Sequence, residues 1–348
     1  MAIRIIEADV EKDLEKFVAL LNRNRDMAVG RERFEWLYLN NPHGKARVWF
    51  AVDEKNGKEI AFTCALPRLM KVDGGDVICW NCGDFSVDRQ YRTMGVALKL
   101  RRRAKDCVEN GEVPGFYAHP SDKMALIHDR VGHSMIGKMN RYVKLLRVDR
   151  KLQQLVKSEV LTRFLSPLGN GILRFKETFQ RVGGGSDIRV LTNQEFGLEF
   201  DALFENAGGP YRVIGNRGAD YLNWRYARNP LYPTERAEIW EGKNLLGYVI
   251  FKEEGGAVFL KDILCIGETA IRKSLLAQWV RFLRSRGIFS ISAALMNGNP
   301  MIKLLLEAGF LLRPDESSVY AYAKPGSDFA GAWLHSANWY MTAGDRDV

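Results

Sequence analysis

The sequence predicts an α/β (α+β) protein of two halves on one plan, each a mixed, mostly antiparallel sheet flanked by helices. Three observations point there. A chain of 348 residues exceeds what one core ordinarily fills, roughly 250–300 residues. Across residues 1–148 the hydrophobic periodicity switches in the order β-α-α-β-β-β-α-β-α-β. Trp36, Tyr38, Asn41 and Pro42 then recur as Trp224, Tyr226, Asn229 and Pro230 with the same internal spacing, each set ending a helix and preceding an apolar strand.

Taken in order, Ile3 to Glu7 reads as a strand, and Asp9 to Arg25 places Leu14, Phe17, Val18 and Leu21 on one helical face. A second helix, Arg31 to Leu39, stops at Asn40-Asn41-Pro42 because proline disfavours helix in the residue before it. Val48 to Asp53 and Ile60 to Leu66 are strands joined through Asn56-Gly57, a strong hairpin turn. Val77 to Val87 is a strand rich in β-branched and aromatic residues. Next comes a helix with Val96, Leu98, Leu100, Ala104 and Val108 inward and Lys99 to Lys105 as its basic outer face. A strand at Gly115 to Ala118, a helix at Ser121 to Val131 and a strand near Tyr142 to Val148 complete the first half.

Residues 149–185 read as basic helical segments broken at Ser166-Pro167-Leu168-Gly169 and closed by Gly183-Gly184-Gly185, a linker between halves 1–148 and 186–348. Leu165, Leu168, Ile172, Leu173 and Phe175 give that segment an apolar side for packing between the halves. In the second half, Phe196, Phe200, Leu203 and Phe204 fall at helical spacing as core. Leu246 to Phe251, Phe259 to Cys265 and Phe289 to Leu295 read as strands, and Ile271 to Arg286 and Pro300 to Ala308 as helices. The tail from Trp333 to Asp347, carrying Trp339, Tyr340, Thr342, Asp345 and Asp347, is expected to dock on a core.

Composition narrows the partners. It is that of a globular chain, 46% hydrophobic and 27% charged. A net charge of +9 suits an anionic ligand: a coenzyme, a nucleic acid or a membrane surface. Five cysteines without framework spacing point to a reducing cytoplasm. Cys79 and Cys82 sit three apart within a strand, on opposite faces and with no second Cys or His pair nearby, so they read as core thiols and no metal is expected. The first residues are charged too early for a signal peptide, and no run of about 18 apolar residues is present to span a membrane.

Chemistry concentrates between Val87 and Leu98, where a strand gives way to a helix and Gly95 stands at the helix start. Unpaired N–H groups and the positive end of the dipole make such a terminus a phosphate site. Gly95 permits close approach of a ligand, and Ala97 keeps the first turn uncluttered. Arg92-x-x-Gly95-x-Ala97 in this context resembles the pyrophosphate-binding signature of the Gcn5-related N-acetyltransferase (GNAT) superfamily, and the element order of the first half is similar to that fold. Asn297 to Phe310 resembles the late GNAT segment, with Ser121 to His133 as its first-half counterpart.

The resemblance implies a tandem GNAT arrangement whose first half binds acetyl-CoA or another acyl-CoA as co-substrate. Phe85, Val87, Arg92, Thr93, Met94, Gly95, Val96, Ala97 and Ser121 would hold it. It implies direct acyl transfer to a primary amine of a small-molecule, glycan or peptide acceptor. In the second half the corresponding stretch is Gly267-Glu268-Thr269-Ala270-Ile271-Arg272-Lys273, where Glu268 would repel a pyrophosphate.

The catalytic positions depart from the family's pattern. Asn81 stands where many members place a glutamate base, which makes Asp84 the nearest candidate, with Asp262 in the matching place of the second half. His128 stands where a tyrosine acid is common, and His119 is expected to face the same cleft. Two other readings stay open. One is an aminoacyl-tRNA-dependent transferase, similar to the peptidoglycan ligases of tandem GNAT build. The other is a non-catalytic acyl-CoA-binding module.

Overall fold

The structure, a computed structural model, describes residues 2–147, 188–192 and 194–347. The expected linker, with Leu165 to Phe175 and the triple glycine, lies outside the described residues. The first half runs β1 (Ile3–Glu7), α1 (Leu14–Asn22), α2 (Arg31–Phe34), β2 (Arg47–Asp53), β3 (Lys58–Val72), β4 (Gly75–Val87), α3 (Val96–Glu109), β5 (Gly115–Ala118), α4 (Asp122–Val131) and β6 (Ser134–Leu145). The second half runs β7 (Ile188–Thr192), α5 (Leu198–Gly208), β8 (Val213–Gly215), α6 (Ala219–Leu222), β9 (Glu235–Glu241), β10 (Asn244–Glu254), β11 (Ala257–Cys265), α7 (Thr269–Ser285), β12 (Ser290–Met296), α8 (Met301–Glu307), β13 (Leu311–Ala323), α9 (Asp328–Trp333) and β14 (Trp339–Tyr340).

Local patterning explains most of these elements. α1 buries Leu14, Phe17, Leu20 and Leu21, one stripe at helical spacing. The β3–β4 hairpin is longer than the apolar run Ile60 to Leu66, because Arg68 and Lys71 are buried with partners rather than exposed. Arg68 is 3.1 Å from Asp345, and Lys71 is 2.7 Å from Glu205. β6 begins at Ser134, well before Tyr142; Lys138, Asn140 and Arg141 mask its strand character.

The strands follow one path, β1-β2-β3-β4-β5-β13-β6-β12-β11-β10-β9-β7. From either end the roles come in the same succession, so β6 and β13 are exchanged at the centre. β13 pairs antiparallel with β5, Tyr320 opposite Ala118, and β6 pairs antiparallel with β12, Tyr142 opposite Ala293. The two runs of strands thus join into one continuous sheet, which leaves neither half with an unpaired inner edge. β13 itself escaped the sequence reading: Pro314 and a register shift between Arg313 and Glu316 interrupt its pattern.

The repeated residues meet where the halves touch. The Trp36 indole N–H donates to the Trp224 carbonyl at 2.8 Å, the Trp224 N–H donates to the Trp36 carbonyl at 2.9 Å, and the rings lie 5.1 Å apart. A reciprocal contact of this kind is what a two-fold relation produces. Both tryptophans sit in widened turns closed by matching i to i+5 bonds, Asn40 to Glu35 and Arg228 to Asn223.

Candidate active site

β4 and β5 are parallel neighbours only where Trp80, Asn81 and Cys82 face Phe116, Tyr117 and Ala118. Beyond that point β4 continues to Val87 while β5 ends, so Gly83 and His119 are the first residues past the last pair. A bulge sits here. Thr63 pairs with Phe85 and Cys64 with Gly83, which leaves Asp84 as the extra residue. The extra residue sorts the neighbours onto two faces. Cys82 and Phe85 pack with the α3 cluster. Gly83 lies against Asp347, whose Oδ2 would be 3.1 Å from a Cβ there, and Asp84 meets Arg33 and Tyr38.

The mouth of this wedge is the Arg92–Ala97 turn. Gly95 has φ 74 and ψ 9, a left-handed conformation that glycine adopts without cost. A Cβ at Gly95 would meet no atom within 4 Å, and Thr93 and Met94 are exposed. The amide N–H groups of Thr93, Gly95, Val96, Ala97 and Leu98 have no acceptor among the described residues. That is a row of donors at the positive end of a 14-residue helix, open to an anion. The Arg92 side chain does not point into it. Its Nε donates to the Val87 carbonyl at 3.1 Å and pins the turn to the end of β4. Asp88, held by Arg23 at 2.7 Å and by Asn24 at 2.9 Å, anchors the other side. Ser121 stands exposed at the start of α4, and Phe85 lies beneath Arg101.

No protein-family model matches the chain, and no curated protein matches its sequence. Solved structures do. A GCN5-related N-acetyltransferase from Anabaena variabilis superposes with TM-score 0.67 at 12% identity, over 92% of this chain and 73% of its own. Another from Kribbella flavida gives TM-score 0.61 at 12% identity, over 92% and 71%. The N-myristoyltransferase of Saccharomyces cerevisiae, with bound myristoyl-CoA, gives 0.58 at 13% identity, over 97% and 85%. The fold is that of the GNAT superfamily.

Within the GNAT fold the catalytic candidates are placed unequally. Asp84 is buried and clamped: Arg33 donates to its two oxygens at 2.6 and 3.0 Å, and the Tyr38 hydroxyl donates at 2.9 Å. A carboxylate so engaged holds the bulge and does not face an acceptor. His128 is not a surface histidine. It is fully buried, with its Nδ1 2.9 Å from that of His133, and burial with the nearby charge of Arg101 pushes it down to about 2. It stays neutral at physiological pH and cannot deliver a proton as an imidazolium. His119 sits at the wedge, its two ring nitrogens buried without a partner among the described residues. Burial pushes it down to about 3.

In the second half the equivalent wedge is closed. Its helix α7 starts after Glu268, whose φ of −70 and ψ of 122 replace the left-handed glycine. Arg272 repeats the pin, donating to the Ile266 carbonyl at 2.9 Å. The space past the last β11–β12 pair is taken by the tail. Thr342 bridges Leu295 and donates to Asp262 at 2.8 Å, Met341 accepts from the Met296 amide, and the Tyr340 hydroxyl donates to the Ile263 carbonyl. Asp345 then joins the halves by accepting from Arg217 at 2.6 Å and Arg68 at 3.1 Å, all three buried. The docked tail agrees with expectation, but its destination was not legible.

Two residues at the wedge escaped the sequence reading. Arg101 falls inside what reads as the basic outer face of α3 but is buried; its spacing from Ala97 and Ala104 was the available signal. Asp347 is brought to Gly83 by a tail 264 residues further along the chain, and no local pattern announces that.

Proposed function

We propose that this chain transfers an acyl group from acyl-CoA, acetyl-CoA in the simplest case, to a primary amine of a small molecule, glycan or peptide. The observation that carries the reading is the set of acceptor-free amides of Thr93, Gly95, Val96, Ala97 and Leu98 at the open end of the β4–β5 wedge. A diphosphate matches it in charge and in hydrogen-bond demand. Thr93, Gly95, Val96 and Ala97 would bind through main-chain donors, the exposed Met94, whose amide donates to the Tyr91 carbonyl, would stand beside them, Arg92 would hold the turn in shape, and Phe85, Val87 and Ser121 would line the approach. The unpaired edge of β4 beyond Cys82 would receive the extended arm of the coenzyme.

On the acceptor side, His119 offers neutral ring nitrogens to an incoming amine, and Asp347 supplies the carboxylate beside Gly83. Asp84 acts as a scaffold through Arg33. The second half, its wedge filled by the tail, contributes walls and no second coenzyme site. Titration calorimetry with acetyl-CoA tests the reading: saturable binding is expected, with stabilisation of more than about 1 kcal/mol at a tenfold excess over Kd. Release of free thiol with a panel of amines then identifies the acceptor class. Absence of binding by any acyl-CoA refutes the proposal.

A further inference from the structure

Arg101 is a buried cation without a counter-charge. It lies on α3, about one and a half turns past the Gly95 cradle, and is 4% exposed. Its Nη2 donates to the Gly83 carbonyl at 3.5 Å, and its guanidinium carbon stands 5.2 Å from the centre of the Phe85 ring. Its Nε and Nη1 are buried and meet no acceptor among the described residues. No described carboxylate pairs with it. Other deeply buried arginines of this region are better satisfied: Arg33 has Asp84, Arg68 and Arg217 share Asp345, and Arg225, also without a carboxylate, donates to the Asp347 and Arg346 carbonyls at 2.9 and 2.8 Å. Three titratable groups feel the Arg101 charge and all stay neutral: burial pushes the Cys82 thiol up to about 11, and it pushes His128 and His133 down, so none supplies an anion.

An uncompensated buried cation is costly, and it persists where a ligand brings the opposite charge or develops it. The position says which. Gly83 is the first residue of β4 past its last β5 pair, four residues or about 13 Å of strand from Val87 and the cradle. A ligand anchored at the cradle needs an extended arm of that order to reach the guanidinium, and pantetheine is such an arm.

We propose that Arg101 is a catalytic residue that receives the coenzyme sulfur as a thiolate; this rests on the acyl-CoA reading above. As the amine nitrogen forms its bond to the acyl carbon, the C–S bond breaks and its electron pair stays on sulfur, against Nε and Nη1. The amine proton passes to the Asp347 carboxylate on the opposite face of β4 and from there to water. No proton donor is then required at the position His128 occupies, in accord with the neutrality of that buried ring.

The test needs no acceptor. Free CoA is bound to the whole protein and ionisation of its thiol is followed by thiolate absorbance, with desulfo-CoA, which lacks the sulfur, titrated in parallel by calorimetry. In the wild type the bound thiol should ionise about 1–3 pH units below the free thiol, and CoA should gain affinity over desulfo-CoA as pH rises. Arg101→Met should return the thiol to its free value while keeping desulfo-CoA binding, and Arg101→Lys should retain part of the effect. A bound wild-type thiol that ionises like the free one, with CoA and desulfo-CoA equally tight at every pH, overturns the proposal whether or not the variants fold. If neither compound binds, the coenzyme reading itself is overturned, and this proposal with it.

Discussion

Replacing Gly95 with valine separates the binding role of the cradle from its structural role. In the free protein a Cβ added at Gly95 meets no atom within 4 Å. The cost is therefore that of holding an L-residue at φ 74, about 1–2 kcal/mol and toward the upper end for a β-branched residue. The ligand meets a larger cost. The new side chain stands in the space in front of the acceptor-free amides and separates a diphosphate oxygen from at least one donor. A hydrogen bond to a charged group contributes about 1.5–3 kcal/mol, so each one lost weakens binding about 10- to 100-fold. Calorimetry with acetyl-CoA and a urea melt, run on the same preparation, read the two effects independently. Gly267→Val is the internal control, since Gly267 also has no neighbour within 4 Å and no left-handed φ; neither quantity should move. Unchanged affinity in Gly95→Val would refute the cradle. A loss of stability beyond about 4 kcal/mol, more than αL strain accounts for, would make the turn a structural element instead.

Other perturbations follow from the buried polar groups. Asp84→Asn leaves Arg33 buried opposite a neutral partner and should cost about 3–5 kcal/mol in a urea melt; a loss under 1 kcal/mol would mean that the ion pair does not support the bulge. Thr342→Val removes the hydroxyl that donates to Asp262 at 2.8 Å and should cost about 1–3 kcal/mol, with hydrogen exchange of the tail rising selectively. Four histidines, His43, His119, His128 and His133, have folded values of about 3, 3, 2 and 3, lowered chiefly by burial. Between those values and 6.5 the unfolded chain binds more protons than the folded one. Stability is therefore whole above about pH 6.5 and falls as pH drops below it, by up to about 1.4 kcal/mol per histidine per pH unit. Urea melts at two pH values on either side of 6.5 check the sign, and a protein more stable at the lower pH would contradict the burial of these rings.

Legibility varied with the range of the interactions. The α1 stripe, the Asn56-Gly57 hairpin and the short β5 run depend on neighbours a few residues away, and their sequence pattern is strong. Cys79 and Cys82, three apart in one strand, fall in separate clusters on its two faces, as their spacing predicts. Polar residues misled where a distant partner paid for their burial, as with Arg68 and Lys71 in β3. Arg101 misled for the opposite reason. A basic run on a helix ordinarily faces water, and nothing local distinguishes the one member that turns inward.

By itself the sequence determined the fold class, the order of the first-half elements and the Arg92–Ala97 turn at a helix start, because each is set by periodicity, turn chemistry and a single glycine. Tertiary structure decided the rest. It exchanged β6 and β13 across the centre, carried the tail into the second wedge, and gathered Gly83, Arg101, His119 and Asp347 around one point. Those contacts join residues up to 277 positions apart, as in the Arg68–Asp345 bond. Their pairing depends on complementary burial and charge across the whole sheet, which a local reading of the chain does not contain.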